Sequence, residues 1–600
     1  MYSLLIAVLS GAGLAVGRPH NPILPGFHPD PSCIFVPEWD DTFFCASSSF
    51  NAFPGIPIHA SQDLQNWKLI GNALSRPEQL PTLTDAVGGT SGIWAPSLRY
   101  HDGEFFILTT LVFDKMDIND TARWDNIILR TTNPFATDAW SDPVHFSFDG
   151  YDTSPFWDED GTVYVQGSHP WEVSPHIDQI QLNLETGGAT EQVPIWNGTG
   201  GLAPEGPHMH LKDGYYYLII AEGGTGLNHM ETAARSKQIT GPFTPAPHNP
   251  LLTNANTSAY CRSSHSCETA VTDVPQFRLW AMQTFSKTVV GTGGQSHSRR
   301  ARDQSTFHIQ WHAGFPSLFF TRLIRFQGRE TVLTNVTWAE GEWPVFENVS
   351  GIIGDPILPS RLSIPGDGPW ITAPDSINFT PGSELPLHFA HWRLPDPAAY
   401  VISPPGHENT LRLLPSLLNL TGFDENSAPT GQTFVGRRQV HSEFVYSVDM
   451  EYTPQVPEEE AGVSVFLTQN HHIDFGIVCL ANTSLLSCAD STVLRIRTTS
   501  STAVGARPDT IVPLAHPQTT RLEIRADNLT HYTFSYSQTG GTTGMITAGY
   551  GLSADVSWGF TGTILGVYAT GNGQNASTPA YVSRWRYDGV RQIISNEDSE

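Results

Sequence analysis

NPILPGFHPDPS, residues Asn21–Ser32, holds one aspartate, Asp30, between two prolines, with Gly26 and His28 just ahead of it. Pro29 and Pro31 fix two φ angles and push the residues before them into extended conformations. The result is a stiff loop that presents a single carboxylate, as a catalytic base requires. The competing reading is a turn aspartate beside proline. What separates the two readings is the pattern that the rest of the chain sets around Asp30.

Downstream, one phrase recurs. YHDGEFFILTTLV (Tyr100–Val112), DEDGTVYVQGS (Asp158–Ser168) and LKDGYYYLIIAEGG (Leu211–Gly224) each place an Asp-Gly turn before a strand of aromatic and β-branched residues, and VPEWDDTFFCASSS (Val36–Ser49) is a looser copy. Asp-Gly between alternating apolar runs is a hairpin signal. A period of about fifty residues with several strands per unit is the pattern of a β-propeller; the competing fold is a β-sandwich with unrelated hairpins. Residues 344–384, rich in Pro, Gly, Ser and Asp, read as a linker laid over the surface. From 385 to about 590, alternating strands such as HSEFVYSVDMEYTP, AGVSVFLT, HIDFGIVCL and TRLEIRA read as a β-sandwich. The fold class is therefore all-β.

Composition agrees. Charged residues make up 15% of the 600 residues and the net charge is −27, which opposes binding to nucleic acid or anionic membrane. Residues 1–17 carry an apolar run followed by small residues and read as a signal peptide. Together with ten N-x-S/T sequons, they predict a secreted, extracellular glycoprotein. No later apolar run is long enough to span a membrane. Cys33/Cys45 and Cys479/Cys488 suit hairpin disulfides in an oxidising compartment, and the cysteine spacings lack the partners of a zinc site.

Three acidic residues share a place in the repeat. Asp30 opens the first blade, Asp152 lies in YDTSPFWDEDG, and Glu205 lies in APEGPHMHLKDG, the latter two just ahead of Asp-Gly turns. Each would project from an innermost strand toward the propeller axis. Carboxylates brought together raise at least one pKa, which keeps an acid protonated beside an ionised base. Glycoside hydrolysis needs that pair.

NPILPGFHPDPS, FPGIPIHASQDLQNW, GIWAPSLRYHDG, DTSPFWDEDG, APEGPHMH and GRETVLTNVTW, in this order, resemble glycoside hydrolase family 43, most of all its β-xylosidase and α-L-arabinofuranosidase branch with a C-terminal concanavalin-like sandwich. The resemblance implies a five-bladed β-propeller over residues 18–343, then a concanavalin A-like jelly roll. It implies an inverting mechanism with Asp30 as general base, Glu205 as general acid and Asp152 as the residue that tunes and orients the acid. It also places Arg329 on the sugar hydroxyls and Trp94 and Phe53 on the pocket wall. His28 either holds Asp30 or fills the loop. No cofactor or metal is called for, and the partner is an oligosaccharide.

One stretch departs from the pattern. Residues 261–327 hold eight Lys/Arg and three Asp/Glu, a basic island in an acidic chain, and lack the family's G-H-A-D-L motif. Reading the codons open to Trp280–Phe285 one base earlier yields Gly-His-Ala-Asp-Leu, and the junctions from Thr292 to Gly294 then permit Trp-Trp. Residues 261–327 are therefore read as frame-shifted, with the frame restored at Gly328; the alternative is an insertion that replaced a blade. The expected activity is an exo-β-1,4-xylosidase. The alternatives are an α-L-arabinofuranosidase or dual-activity enzyme, and a catalytically impaired carbohydrate-binding homologue.

Overall fold

The computed structural model describes residues 20–592 except 137, 225–227, 254–317, 325–327, 348, 350, 352–360, 423–430, 481–487, 489–490, 502–506, 515–518 and 539–543. The segment read as frame-shifted lies outside the described residues, apart from the strand Leu318–Ile324, whose backbone pairs antiparallel with Gly328–Thr334.

The Asp-Gly phrases are hairpins, as expected. Asp102 and Gly103 both have positive φ, as do Asp213 and Gly214, the backbone that a two-residue turn matched to strand twist requires. Each hairpin joins an innermost strand to the second strand of a blade. Four antiparallel sheets, three of four strands and the last of five, follow in chain order among the described residues. They start from the innermost strands Ser32–Val36, Gly92–His101, Tyr151–Trp157 and Glu205–Lys212. Four complete blades thus stand where five were expected, and the two-stranded ladder Leu318–Ile324/Gly328–Thr334 follows them. Apolar side chains fill the spaces between successive blades: Phe44, Ile58, Leu98 and Ile107 between the first and second, Leu108, Phe146 and Val165 between the second and third, Phe156, Met209 and Leu218 between the third and fourth. Removing such two-sided faces from water drives the stacking.

The ring is closed by its beginning. Ile23 and Leu24 donate their N–H groups to the Thr331 carbonyl, and His28 N–H donates to the Arg329 carbonyl. The Asn21 side-chain amide imitates a strand partner, donating to the Leu333 carbonyl and accepting from the Leu333 N–H, both at 2.8 Å. The stretch Asn21–Ser32 is therefore seated by a strand about 300 residues further on.

The C-terminal half is a two-sheet sandwich. One sheet centres on Ala580–Arg591 and Glu443–Glu451, the other on Ile564–Thr570 and Glu460–Thr468, with a core of Phe444, Tyr446, Val463, Phe475, Leu522 and Trp585 between them. The linker is partly structure. Ile364 packs into the core beside the first blade, as a surface-laid segment should, but Asp375–Ile377 pairs with Ala580–Arg591, so the sandwich begins earlier than residue 385. The propeller also lends a strand to it: Ala52–Phe53 pairs with Phe389–Trp392 at the edge of the second sheet. Phe27, Phe50 and Ala52 share a core with Trp392, Phe434, Phe466 and Ile564, so the seam between the halves is itself a hydrophobic core. Both cysteine pairs form disulfides, Cys33–Cys45 across paired strands and Cys479–Cys488.

Candidate active site

Every innermost strand is preceded or opened by a residue with positive φ. Asp30 (φ 51°), Ala95 (φ 30°), Asp152 (φ 58°) and Gly206 (φ 58°) occupy matching places, in D-P-S, A-P-S, D-T-S and G-P-H. In the last three strands the ladder shifts register there, between Trp94 and Ser97, Tyr151 and Ser154, and Glu205 and His208. A bulge of this kind turns a side chain out of the pleat. Asp30, expected to be extended ahead of Pro31, is instead left-handed; such non-glycine backbone costs about 1–3 kcal/mol at each position, and the surrounding sheet holds it in place.

These bulges bring the acidic residues to one end of the propeller. Asp30, Asp152 and Glu205 are all buried, with 2%, 3% and 5% of their surface exposed. Ser48 donates its hydroxyl to Asp30 Oδ2 at 2.6 Å and accepts the Ala95 N–H at 2.7 Å, tying the Asp30 loop to the bulge of the second blade. Arg329 Nη1 lies 3.8 Å from Asp30 Oδ1. Asp152 Oδ2 accepts the Gly206 N–H at 3.0 Å, which fixes it against the residue next to Glu205, and the Tyr151 hydroxyl donates to Glu205 Oε2 at 3.4 Å.

Aromatic rings surround this group. Trp94, half-buried, donates Nε1–H to the Thr90 carbonyl and meets Tyr151 edge to face at 5.8 Å. Phe560, from the sandwich, stacks on Phe50 at 6.3 Å and lies under the Arg329 guanidinium at 4.1 Å. Phe53, expected on the pocket wall, is placed in the core with Ile56, Leu74 and Leu80, its backbone paired to His391. Phe50, three residues earlier, is the ring that faces Trp94 and Phe560.

Of the two readings offered for His28, the structure favours filling the loop. Its Nδ1 lies 2.9 Å from the Pro25 carbonyl and its ring meets His59 at 4.8 Å. Burial, then the neighbouring His59 and Arg438, lower its pKa well below that of an exposed histidine; burial and Arg438 lower His59 to about 3. Both rings are therefore neutral in the layer beneath Asp30. Ser48, Tyr151, Phe50, Phe560 and Arg438 were not anticipated. Three consecutive buried serines, Ser47–Ser49, at the end of an apolar strand were a readable signal for Ser48. Phe560 and Arg438 gave none, lying hundreds of residues from the carboxylates.

One end of the propeller thus carries three buried carboxylates from its first, third and fourth blades, an arginine and aromatic rings, a set of groups suited to sugar cleavage. Residues 19–344 match glycosyl hydrolases family 43, and residues 376–588 match the beta xylosidase C-terminal concanavalin A-like domain. The chain belongs to glycoside hydrolase family 43. It is 30% identical over 587 residues to a non-reducing end alpha-L-arabinofuranosidase of Bacteroides ovatus, covering 95% of each chain. It is 30% identical over 462 residues to a beta-xylosidase of Bacillus subtilis, covering 75% of this chain and 77% of the relative. Among solved structures, a xylan beta-1,4-xylosidase from Bacillus halodurans superposes with a TM-score of 0.75 at 25% identity, covering 95% of this chain and all of that one. This family 43 protein is thus a glycosidase whose relatives act as xylosidases and arabinofuranosidases.

Proposed function

We propose that this protein is an inverting exo-β-1,4-xylosidase that releases terminal D-xylose from xylo-oligosaccharides. The observation that carries the reading is the placement of Asp30, Asp152 and Glu205, all buried at the starts of the innermost strands of the first, third and fourth blades. In this reading Asp30 takes a proton from water as the water oxygen bonds to the anomeric carbon. Glu205 gives a proton to the leaving oxygen as the glycosidic bond breaks. Asp152, anchored on the Gly206 N–H, orients and tunes Glu205. Arg329, braced on Phe560, holds sugar hydroxyls, and Trp94 walls the pocket. The ladder Leu318–Ile324/Gly328–Thr334 supports a fifth blade in the catalytic unit of residues 18–343. The two disulfides support an exported protein.

The arabinofuranosidase relative that matches nearly the whole chain favours a second reading, α-L-arabinofuranosidase or dual activity. Turnover of aryl β-D-xyloside against aryl α-L-arabinofuranoside separates the two. Proton NMR of the first product decides the stereochemistry: α-xylose appearing first supports inversion, and β-xylose first rejects it. Sugar binding with no turnover of either substrate would leave the carbohydrate-binding homologue as the reading.

A further inference from the structure

At the end of the third blade that carries Asp152, but on its second and third strands, the chain gathers two histidines and two aspartates that the cleavage reading does not use. His169 follows the strand Val163–Ser168, and His176 precedes the strand Ile177–Gln181. The two face each other across the hairpin, with His169 N–H donating to the His176 carbonyl at 3.1 Å and ring centroids 4.5 Å apart. Asp178, two residues beyond His176, falls on the same face of the strand. One ligand atom from each of His169, His176 and Asp178 lies within 4.8 Å of the others. We propose that His169, His176 and Asp178, with Asp149 as fourth ligand, form a zinc-binding site on the outer part of the third blade.

Three features point to a cation. His176 Nδ1 and Asp178 Oδ1, both buried, lie 2.9 Å apart, a spacing at which the two atoms either pair with each other or share a cation. Next, the remaining atoms of these side chains are already held. His169 Nδ1 lies 2.9 Å from the Ser174 carbonyl, which places the proton there and leaves Nε2 as the ligand atom. Asp178 Oδ2 accepts Gln192 Nε2–H at 2.6 Å. Orientation of ligands by outer hydrogen bonds of this type is general at metal sites. Finally, Asp149 Oδ2 is 3.9 Å from His169 Nε2, and the Gln192 amide that holds Asp178 also accepts the Asp149 N–H and donates to the Asp149 carbonyl. One glutamine thus braces both aspartates.

Two imidazole nitrogens with carboxylate oxygens suit zinc rather than calcium or magnesium, which prefer all-oxygen sets. Bonds of about 2.0–2.1 Å require the partly exposed His169 and Asp149 to turn in toward the His176–Asp178 pair. Asp149 lies three residues before Asp152, so a bound cation would link the outer hairpin to the segment that carries a catalytic carboxylate.

The test uses the untagged full-length protein, stripped with chelator and titrated with zinc by calorimetry. Cobalt(II) substitution serves as an independent reading of geometry. The expected result is one zinc per chain at micromolar or tighter Kd, intense tetrahedral cobalt bands, and at least tenfold weaker binding in both His169→Gln and Asp178→Asn. The chain has 23 histidines, so weak binding elsewhere is anticipated and the variants discriminate. No stoichiometric site, absent tetrahedral bands, or unchanged binding in the two variants would overturn the proposal. The cobalt spectrum of the unmodified protein decides the matter should a variant misfold.

Discussion

The carboxylates divide by what they lose when removed. Glu205→Ala is expected to lower kcat by about 10²–10⁴-fold on xylobiose, the scale of general acid catalysis. The loss should be much smaller on an activated aryl xyloside, whose leaving oxygen needs no proton. Asp30→Ala is expected to lose comparable rate on both substrates, because the same displacement step activates water whichever group leaves. Steady-state kinetics on the two substrates checks the split; equal losses in both variants would reject the assignment. Arg329→Ala should cost about 10–100-fold in kcat/KM, in line with about 1.5–3 kcal/mol for a charge-assisted hydrogen bond. Phe560→Ala should show part of the same loss, because the ring braces the guanidinium. The carboxylates were legible because each sits among residues with a backbone meaning: Asp30 between prolines, Asp152 and Glu205 ahead of Asp-Gly turns. Phe560 was not, because an aromatic in a sandwich loop looks the same whether it faces its own core or another domain.

At the scale of elements, the seam decides stability. Gly328 has φ 91°, and a Cβ there would lie 2.2 Å from Gly562 Cα. Gly26, with φ 80°, would bring its Cβ to 2.0 Å from the Gln439 carbonyl oxygen. Gly328→Ala is expected to destabilise by about 2–4 kcal/mol, combining strained backbone with overpacking, and to lower turnover through Arg329; thermal melts and kcat/KM report the two effects. The histidine layer adds a pH dependence. Burial and Arg438 depress His59 from 6.5 to about 3. Its contribution is therefore complete above pH 6.5 and lost as pH falls toward 3. Tm measured from pH 8 to 4 should fall, and His59→Gln should flatten that slope. The hairpins could be read from sequence, since Asp-Gly demands positive φ. The two-residue strand Ala52–Phe53 could not, because its partner, Phe389–Trp392, is chosen by the packing of domains and not by local pattern.

For the whole molecule, the sandwich and propeller form one structure joined by a common core of Phe27, Phe50, Trp392, Phe434 and Ile564. A chain ending at residue 343 is expected to aggregate and to show no turnover, because it exposes that core and loses Phe560 and Arg438; soluble yield and aryl-xyloside assay measure both. Residues 261–327 supply a further comparison. The chain as given should turn over at least tenfold more slowly than one in which this segment is re-read in the other frame, because the latter regains the G-H-A-D-L motif. Equal rates would show the segment to be a tolerated insertion.

Closure of the ring by its own beginning sets an order of events during synthesis. The Thr331 hydroxyl donates to the carbonyl of His28, 303 residues earlier. At ribosomal speeds of about 5–20 residues per second, the loop bearing Asp30 waits on the order of 15–60 s for the strand that seats it. It waits longer still for Gln439 and Phe560. A nascent fragment that ends before Gln439 and Phe560 lacks the groups packed on Gly26 and Arg329, so full activity is expected only when the last third of the chain has emerged.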